Sequence, residues 1–183
     1  MARHYVNNKD FFAALVAYKA KRKEYEAAGK AQPIVPDYIG VCIKEIATRW
    51  TSKPHYASYP FREEMISDAI ENCFMYLHNF NEEKTQNPFA YFTQIIKFAC
   101  WRRIDREKEE LYVRLKSAQR SPNMQEFFNT QDTDLIDYDL SRGVDNTYAQ
   151  DFINKFEEKL LEKKKERRIK QEAAAAAKEP NNE

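Results

Sequence analysis

Aromatic, amide and basic side chains recur at helical spacing between residues 87 and 106. The aromatic and amide members are Tyr91, Gln94, Phe98 and Trp101, and the cations are Lys97, Arg102, Arg103 and Arg106. Aromatic rings stack on unpaired bases and cations neutralise phosphate, so this composition is typical of a surface that binds nucleic acid. The chemistry predicted for this stretch is therefore binding.

A helix is predicted to begin at Asn87-Pro88. The Asn87 side chain can accept a hydrogen bond from a free backbone N–H, and Pro88 suits the first helical position because it has no N–H to leave unpaired. Two apolar faces follow on the helical wheel. One contains Phe92, Ile96, Ala99 and the stem of Arg103, and the other contains Tyr91, Gln94, Ile95, Phe98, Trp101 and Arg102. The second face could bind nucleic acid, or both faces could be buried in a helical bundle.

Other chemistries have little support in the sequence. The three cysteines, Cys42, Cys73 and Cys100, are far apart and lie in apolar patterns, which predicts buried reduced thiols. The three histidines are scattered, so no metal site is expected, and no P-loop, dinucleotide fingerprint or Ser/His/Asp signature occurs. We therefore expect no enzyme activity and no cofactor. No apolar stretch spans a membrane and residues 1–10 lack a signal-peptide pattern, so a cytoplasmic protein with no membrane partner is expected.

The composition predicts an all-α fold. The 183 residues include only three glycines and contain long runs rich in Ala, Glu, Lys and Leu. Helices are expected over about residues 9–28 and 37–51, with residues 52–60 as a loop and Phe61 opening a third helix. Its inward positions are predicted to be Ile66, Ala69, Ile70, Cys73, Leu77 and Phe80, and those of the second helix Ile39, Ile43, Ile46 and Trp50.

Charge alternates along the chain although the net charge is only +1. Residues 61–86 contain two basic and six acidic residues, and residues 87–120 contain eight basic and four acidic residues. The acidic stripe of the third helix consists of Glu63, Glu64, Ser67, Asp68 and Glu71. Such a stripe is often only solvated, but if it binds a partner, that partner should be a basic protein surface.

The sequence pattern over residues 121–183 predicts a helical extension after an acidic segment. Ser121-Pro122 should end the central helix, and residues 121–146 form an acidic segment expected to be flexible. A last helix is predicted over residues 147–177, with its apolar side at Tyr148, Phe152, Phe156 and Leu160 and a solvated, frayed end beyond Leu161. The predicted organisation is a domain over 1–120, the acidic segment, this helix, and a disordered tail over 178–183.

Several short motifs together carry a resemblance to a known family. They are residues 66–70, His78-Asn79-Phe80, Asn87-Pro88 and Ala90-Tyr91, with further matches at residues 5–9 and 105–110. In this order and spacing they resemble the second region of bacterial sigma factors, and more closely the late-transcription sigma factors of T-even-type phages. The similarity covers roughly residues 5–116, with a weaker match at 147–153.

The resemblance implies a helical sigma-region-2-like domain that binds core RNA polymerase and opens a TATA-rich minus-ten element. The third helix would bind the clamp-helix coiled coil of the largest subunit through Glu64, Ser67, Asp68, Glu71 and Phe74. The next helix would capture the unpaired non-template strand of promoter DNA. Tyr91 would stack beside the flipped base, with Gln94, Phe98, Trp101 and Arg102 at the upstream fork. As cations, Lys97, Arg102, Arg103 and Arg106 would supply phosphate contacts and salt sensitivity. The setting would be the cytoplasm of an infected bacterium, with a phage coactivator as a further partner left open.

The sequence also departs from the family. Gln94 and Ile95 replace the tryptophan pair of primary sigma factors, so strand opening by a tryptophan wedge is not implied. The domain that reads the minus-thirty-five element has no counterpart, and the chain ends in an Ala-rich stretch instead of a clamp-binding peptide. A helical protein-protein adaptor with no DNA contact therefore stays open as the alternative function.

Overall fold

The computed structural model describes residues 5–120 and 146–176. Within these ranges the chain is all-α, as predicted, and contains no strand. The helices are α1 (Asn8–Ala27), α2 (Asp37–Thr51), α3 (Pro54–Ala57), α4 (Arg62–Met75), α5 (Pro88–Arg120) and α6 (Asn146–Ala176), with a 3₁₀ turn at Leu77–Asn79. Most of the predicted acidic segment and the whole predicted tail lie outside the described residues.

The chain divides into two units between Glu107 and Lys108. The first is Met1–Glu107 and the second is Lys108–Glu183. The division falls inside α5, so the last turns of this helix belong to the second unit. The predicted domain over 1–120 therefore extends beyond the first unit.

Asparagine side chains fix the starts of α1 and α5. Asn7 accepts a hydrogen bond from the backbone N–H of Lys9 at 3.1 Å, and Asn87 accepts one from the N–H of Ala90 at 3.0 Å. The side chain of Asn8 also accepts from the N–H of Phe89 at 3.1 Å, which joins the first turns of the two helices. These bonds satisfy amide groups that a helix start leaves without an intrahelical acceptor. The predicted start at Asn87-Pro88 is confirmed.

Helices α1, α2, α4 and α5 bury the core of the first unit. Its main side chains are Phe11, Leu15, Ile39, Ile43, Ile46, Met65, Ala69, Cys73, Phe80, Phe92, Ile96 and Cys100. The rings of Phe11 and Phe92 lie 5.4 Å apart between centroids. All three cysteines are buried and free, as predicted. Two predicted inward positions, Trp50 and Ile70, are only half-buried.

A polar clamp lies beside this core. The ammonium group of Lys19 donates a hydrogen bond to the carbonyl oxygen of Phe80 at 2.6 Å and forms an ion pair with Glu82. The ion pair lowers the pKa of Glu82 from its ordinary value, chiefly through the hydrogen bond from Lys19. The clamp connects α1 to the segment that leads into α5.

The prediction of a loop over residues 52–60 is wrong in part. Residues Pro54–Ala57 form the short helix α3, with Pro54 at a first position that needs no N–H. Arg62 donates hydrogen bonds to the carbonyl oxygen of Thr51 at 3.2 Å and to the Ser52 hydroxyl at 2.9 Å, which satisfies the end of α2. Tyr56 of α3 is only 6% exposed.

The second unit consists of the end of α5 packed against α6. Its buried side chains are Leu111, Leu115, Ala149 and Ile153. The rings of Tyr112 and Phe156 stack at 4.7 Å beside this seam. The predicted apolar position Leu160 is 45% exposed, whereas Ile153, not predicted, is fully buried. Helix α6 runs on to Ala176 with exposed side chains over residues 158–173, so the predicted solvation is confirmed, but the helical structure continues where fraying was expected.

Candidate nucleic-acid interface

The outward face of α5 exposes two large aromatic rings beside a cation. Phe98 is 43% exposed and Trp101 is 45% exposed, and their rings meet edge to face at 5.7 Å. The ammonium group of Lys97 lies 4.5 Å from the centroid of the Trp101 ring. The bundle buries the opposite face, at Phe92, Ile96 and Ala99, but not this one. The arrangement offers ring surface for stacking and a positive charge for phosphate.

Tyr56 holds Trp101 in place from α3. The indole Nε1–H of Trp101 donates to the Tyr56 hydroxyl at 3.2 Å. The Tyr56 ring packs 6.4 Å from the ring of Trp50 and 4.8 Å from that of His55. An aromatic cluster therefore connects the end of α2, α3 and the middle of α5.

Trp50 supports a second cation. The ammonium group of Lys53 lies 3.3 Å from the centroid of the Trp50 ring. Among the described side chains, the indole N–H of Trp50 is a buried donor with no hydrogen-bond acceptor. Sequence reasoning missed Trp50, Lys53 and Tyr56 as members of this surface, because only the tertiary structure brings them to Trp101.

Tyr91 lies at the boundary between the core and the outward face. Its half-buried ring meets Phe80 and Phe92 edge to face, at 5.3 and 5.1 Å between centroids. Its hydroxyl donates a 2.9 Å hydrogen bond to the carbonyl oxygen of Tyr76. Burial raises the pKa of Tyr91, with a smaller contribution from Cys73. The ring is thus less exposed than its predicted role in base capture requires.

The predicted phosphate-binding arginines differ in their surroundings. Arg103 donates two hydrogen bonds to the carboxylate of Asp68, at 2.7 and 2.9 Å, and a third to Glu107 at 3.1 Å. These contacts, led by the hydrogen bond to Asp68, raise the pKa of Arg103. Arg102 donates to the Asn72 side-chain oxygen at 2.7 Å, whereas Arg106 is exposed. Three of the charged donors of Arg103 are therefore committed within the fold.

The residues of the acidic stripe on α4 also differ in their exposure. Glu64, Ser67 and Glu71 are exposed, and Phe74 is partly exposed near them. Asp68 is half-buried and joined to Arg103 of α5. The structure thus pairs one residue of the predicted polymerase surface with one of the predicted DNA surface. On α5, the predicted residue Gln94 is exposed.

No model of a known protein family matches the chain, and a search of curated proteins finds no match. Over residues 5–120 and 146–176, no cluster of three His, Cys, Asp or Glu side chains is placed to hold a metal ion. None of the helices in these ranges combines the length and apolar composition of a membrane span.

Proposed function

We propose that this chain is a phage sigma factor that binds the core RNA polymerase of its bacterial host and captures unpaired DNA at a TATA-rich minus-ten-type late promoter element. The observation that carries the proposal is the exposed pair of rings at Phe98 and Trp101, with Lys97 over the indole. The resemblance to sigma factors at residues 66–94 supports it from the sequence. The protein would act in the cytoplasm of the infected cell.

Capture of this kind needs binding energy but no bond chemistry. Unstacking a base costs a few kcal/mol, least where the base is already unpaired, and stacking on an aromatic side chain returns about 1–3 kcal/mol per base. Lys97 and the exposed Arg106 would neutralise phosphates and make binding salt-sensitive. Arg103, held by Asp68 and Glu107, would instead position α5 against α4.

The exposed acids of α4 would bind a basic coiled coil of the polymerase. Glu64, Ser67 and Glu71 are accessible for this role, with Phe74 as an apolar anchor. Asp68 would contribute less, because its carboxylate already accepts two hydrogen bonds from Arg103.

The docking test reverses charge without touching the Asp68–Arg103 pair. Glu64→Lys with Glu71→Lys should weaken binding to bacterial core polymerase by several kcal/mol, because like charges would meet across the interface. The matched control is Glu24→Lys with Glu26→Lys, the same change at exposed positions of α1. Co-purification of the control but not of the α4 variant supports docking through α4. Equal binding by both folded variants would contradict it.

The DNA test uses a forked promoter probe on the assembled polymerase complex. Trp101→Ala should weaken binding of the fork by about 1–3 kcal/mol, the loss of one stacked base. Tyr91→Ala should weaken it similarly if the ring stacks on a base. Because the Tyr91 ring is half-buried, Tyr91→Ala should also lower the free energy of unfolding. The loss should be smaller than the roughly 3–5 kcal/mol expected for a fully buried aromatic side chain. Unchanged fork affinity in both variants would overturn DNA capture by α5.

A helical adaptor without DNA contact is the second candidate, and one surface favours it. A groove of about 440 Å³ lies between the segment before α2, α2 itself and Phe74 of α4. Ile34 and Val41 line it with exposed apolar side chains. If the chain is only an adaptor, substitutions at Val41 should abolish its partner interactions while Trp101→Ala changes nothing. The fork assay therefore separates the two functions.

A further inference from the structure

We propose that the nucleic-acid surface continues beyond α5 onto the corner between α2 and α3, where Lys53 contacts a phosphate of the same unpaired strand. Trp50 and Tyr56 act there as positioning residues. This inference rests on the proposed function and deepens it, because it commits the site to single-stranded DNA that crosses two elements of the fold. None of the sequence motifs includes these three residues.

The two tryptophans belong to one connected cluster. Tyr56 accepts the indole N–H of Trp101 at 3.2 Å and packs its ring 6.4 Å from that of Trp50. Because Tyr56 is buried, it gives the two indoles a common rigid support. Trp50 and Trp101 are therefore both joined to one buried side chain.

Each indole supports one lysine. Lys53 lies 3.3 Å from the ring centroid of Trp50, and Lys97 lies 4.5 Å from that of Trp101. Among the residues that the structure describes, neither lysine forms an ion pair with a carboxylate. A cation held over a ring is restricted in its motion, yet its charge is not neutralised. Both lysines thus keep a charge that can bind an anion.

The spacing of chemical types favours an unpaired strand as the ligand. The exposed rings of Phe98 and Trp101 can stack on the faces of unpaired bases, whereas in a duplex these faces are covered by neighbouring base pairs. The lysines can bind the phosphates of the same strand. A strand supplies both at every nucleotide. An acidic peptide would satisfy the lysines but would leave the two rings exposed.

The first experiment measures the salt dependence of binding to a labelled oligothymidine by the full-length protein. If Lys53 contacts one phosphate, Lys53→Gln should lower the slope of log K against log salt by about 0.7 in magnitude, the value for one contact on a single strand. The matched control is Lys44→Gln, an equal charge loss at an exposed position of α2. It should bind with the slope of the wild type.

A second variant tests the positioning role of Tyr56. Tyr56→Phe removes the hydroxyl that accepts from Trp101 but keeps the ring. It should lower affinity a few-fold while leaving the salt slope unchanged, since no phosphate contact is lost. Unchanged affinity would show that Tyr56 has no positioning role.

The outcomes separate this inference from the proposed function. An unchanged slope in folded Lys53→Gln, with wild-type binding intact, overturns the Lys53 site and leaves DNA capture by α5 standing. Displacement of the oligothymidine by polyglutamate of equal charge would show a general anion surface and would also overturn it. If the wild type binds no oligothymidine, the inference falls, and the docking and fork tests on the assembled polymerase complex decide the proposed function.

Discussion

The two units of the molecule are stabilised in different ways. In the first unit, four helices bury large aromatic and aliphatic side chains, and the Asp68–Arg103 pair and the Lys19–Glu82 clamp link its elements. In the second unit, the described parts of two helices share four buried side chains. Beside them, the rings of Tyr112 and Phe156 stack, and Glu157 accepts partly exposed hydrogen bonds from Tyr112 at 2.9 Å and from Lys116 at 2.7 Å.

This difference indicates where each unit obtains its stability. Burial of apolar area is the dominant favourable term in folding, so the first unit has the larger reserve. An exposed pair across two helices contributes little, and an isolated helix is marginal in water. The Ala-, Glu- and Lys-rich sequence of α6 supplies good intrinsic helix propensity along its exposed length. The stability of the second unit should therefore depend more on pH and salt. The stability of the first unit should depend more on substitutions that leave a cavity in its core.

The largest expected effect comes from a cavity in the first unit. Phe92→Ala removes a ring that is 0% exposed and packs on Phe11 and Tyr91, so it should cost about 3–5 kcal/mol of unfolding free energy. Urea denaturation followed by circular dichroism measures this loss. Phe98→Ala, on the same helix, is the control and should cost far less. Similar losses in the two variants would mean that the two faces of α5 do not differ as described.

The ion pair between α4 and α5 should have the next largest effect. Asp68→Asn and Arg103→Met each remove charge-assisted hydrogen bonds from a site where both side chains are mostly buried. A double-mutant cycle should give a coupling of about 1.5–3 kcal/mol. Urea midpoints of the four proteins measure it. A coupling near zero would indicate that the pair adds nothing to the first unit beyond its packing.

Truncation in the seam of the second unit should cost about 2 kcal/mol, the low end for a buried isoleucine, because a cavity between two helices can collapse. The variant is Ile153→Ala, where the side chain is 0% exposed. Amide exchange should rise in α6 and in the end of α5, with the first unit unaffected. Ile169→Ala, at an exposed site of the same helix, should change exchange little. Loss of protection throughout the first unit would contradict the division into two units.

Acidification should give the smallest effect, through Glu157 in the second unit as through Glu82 in the first. The hydrogen bonds from Lys116 and Tyr112 lower the pKa of Glu157 from its ordinary value. Stability from a lowered carboxyl pKa is fully present above the unfolded value and is lost as the pH falls through the folded one. Helix protection in this unit should therefore decline as the pH falls through the lowered pKa of Glu157, and Glu157→Gln should remove that part of the decline. Glu158→Gln, at the exposed neighbour, should leave the decline unchanged.

The sequence predicted the elements whose signals are local. Asn87-Pro88 contains its own helix start, and the predicted bounds of the second helix, 37–51, agree with α2. The burial of Phe92, Ile96 and Ala99 also follows from one helical period. Residues 52–60 did not reveal α3, because a four-residue helix that begins with proline has the same sequence signals as a turn.

Contacts between distant residues could not be predicted in this way. Asp68 and Arg103 are 35 positions apart. The sequence pattern places Asp68 on the acidic stripe and the stem of Arg103 beside Phe92 and Ile96, and neither position shows that the two charged groups pair. Trp50, Tyr56 and Trp101 likewise meet only in the tertiary structure. Tyr91 lies near the border of two helical faces, where a small rotation of α5 decides whether its ring is buried.

The positions of the cysteines make thiol labelling a specific measure of the opening of the first unit. Cys42, Cys73 and Cys100 lie on α2, α4 and α5, and the sequence has no cysteine after position 100. Burial raises the pKa of Cys73 to about 12 and that of Cys100 to about 11. Because the thiolate is the reactive form, a thiol reagent at neutral pH modifies these side chains only when their helices separate. The rate of thiol labelling therefore reports how often the first unit opens. Unfolding and refolding of the second unit alone would not change this rate.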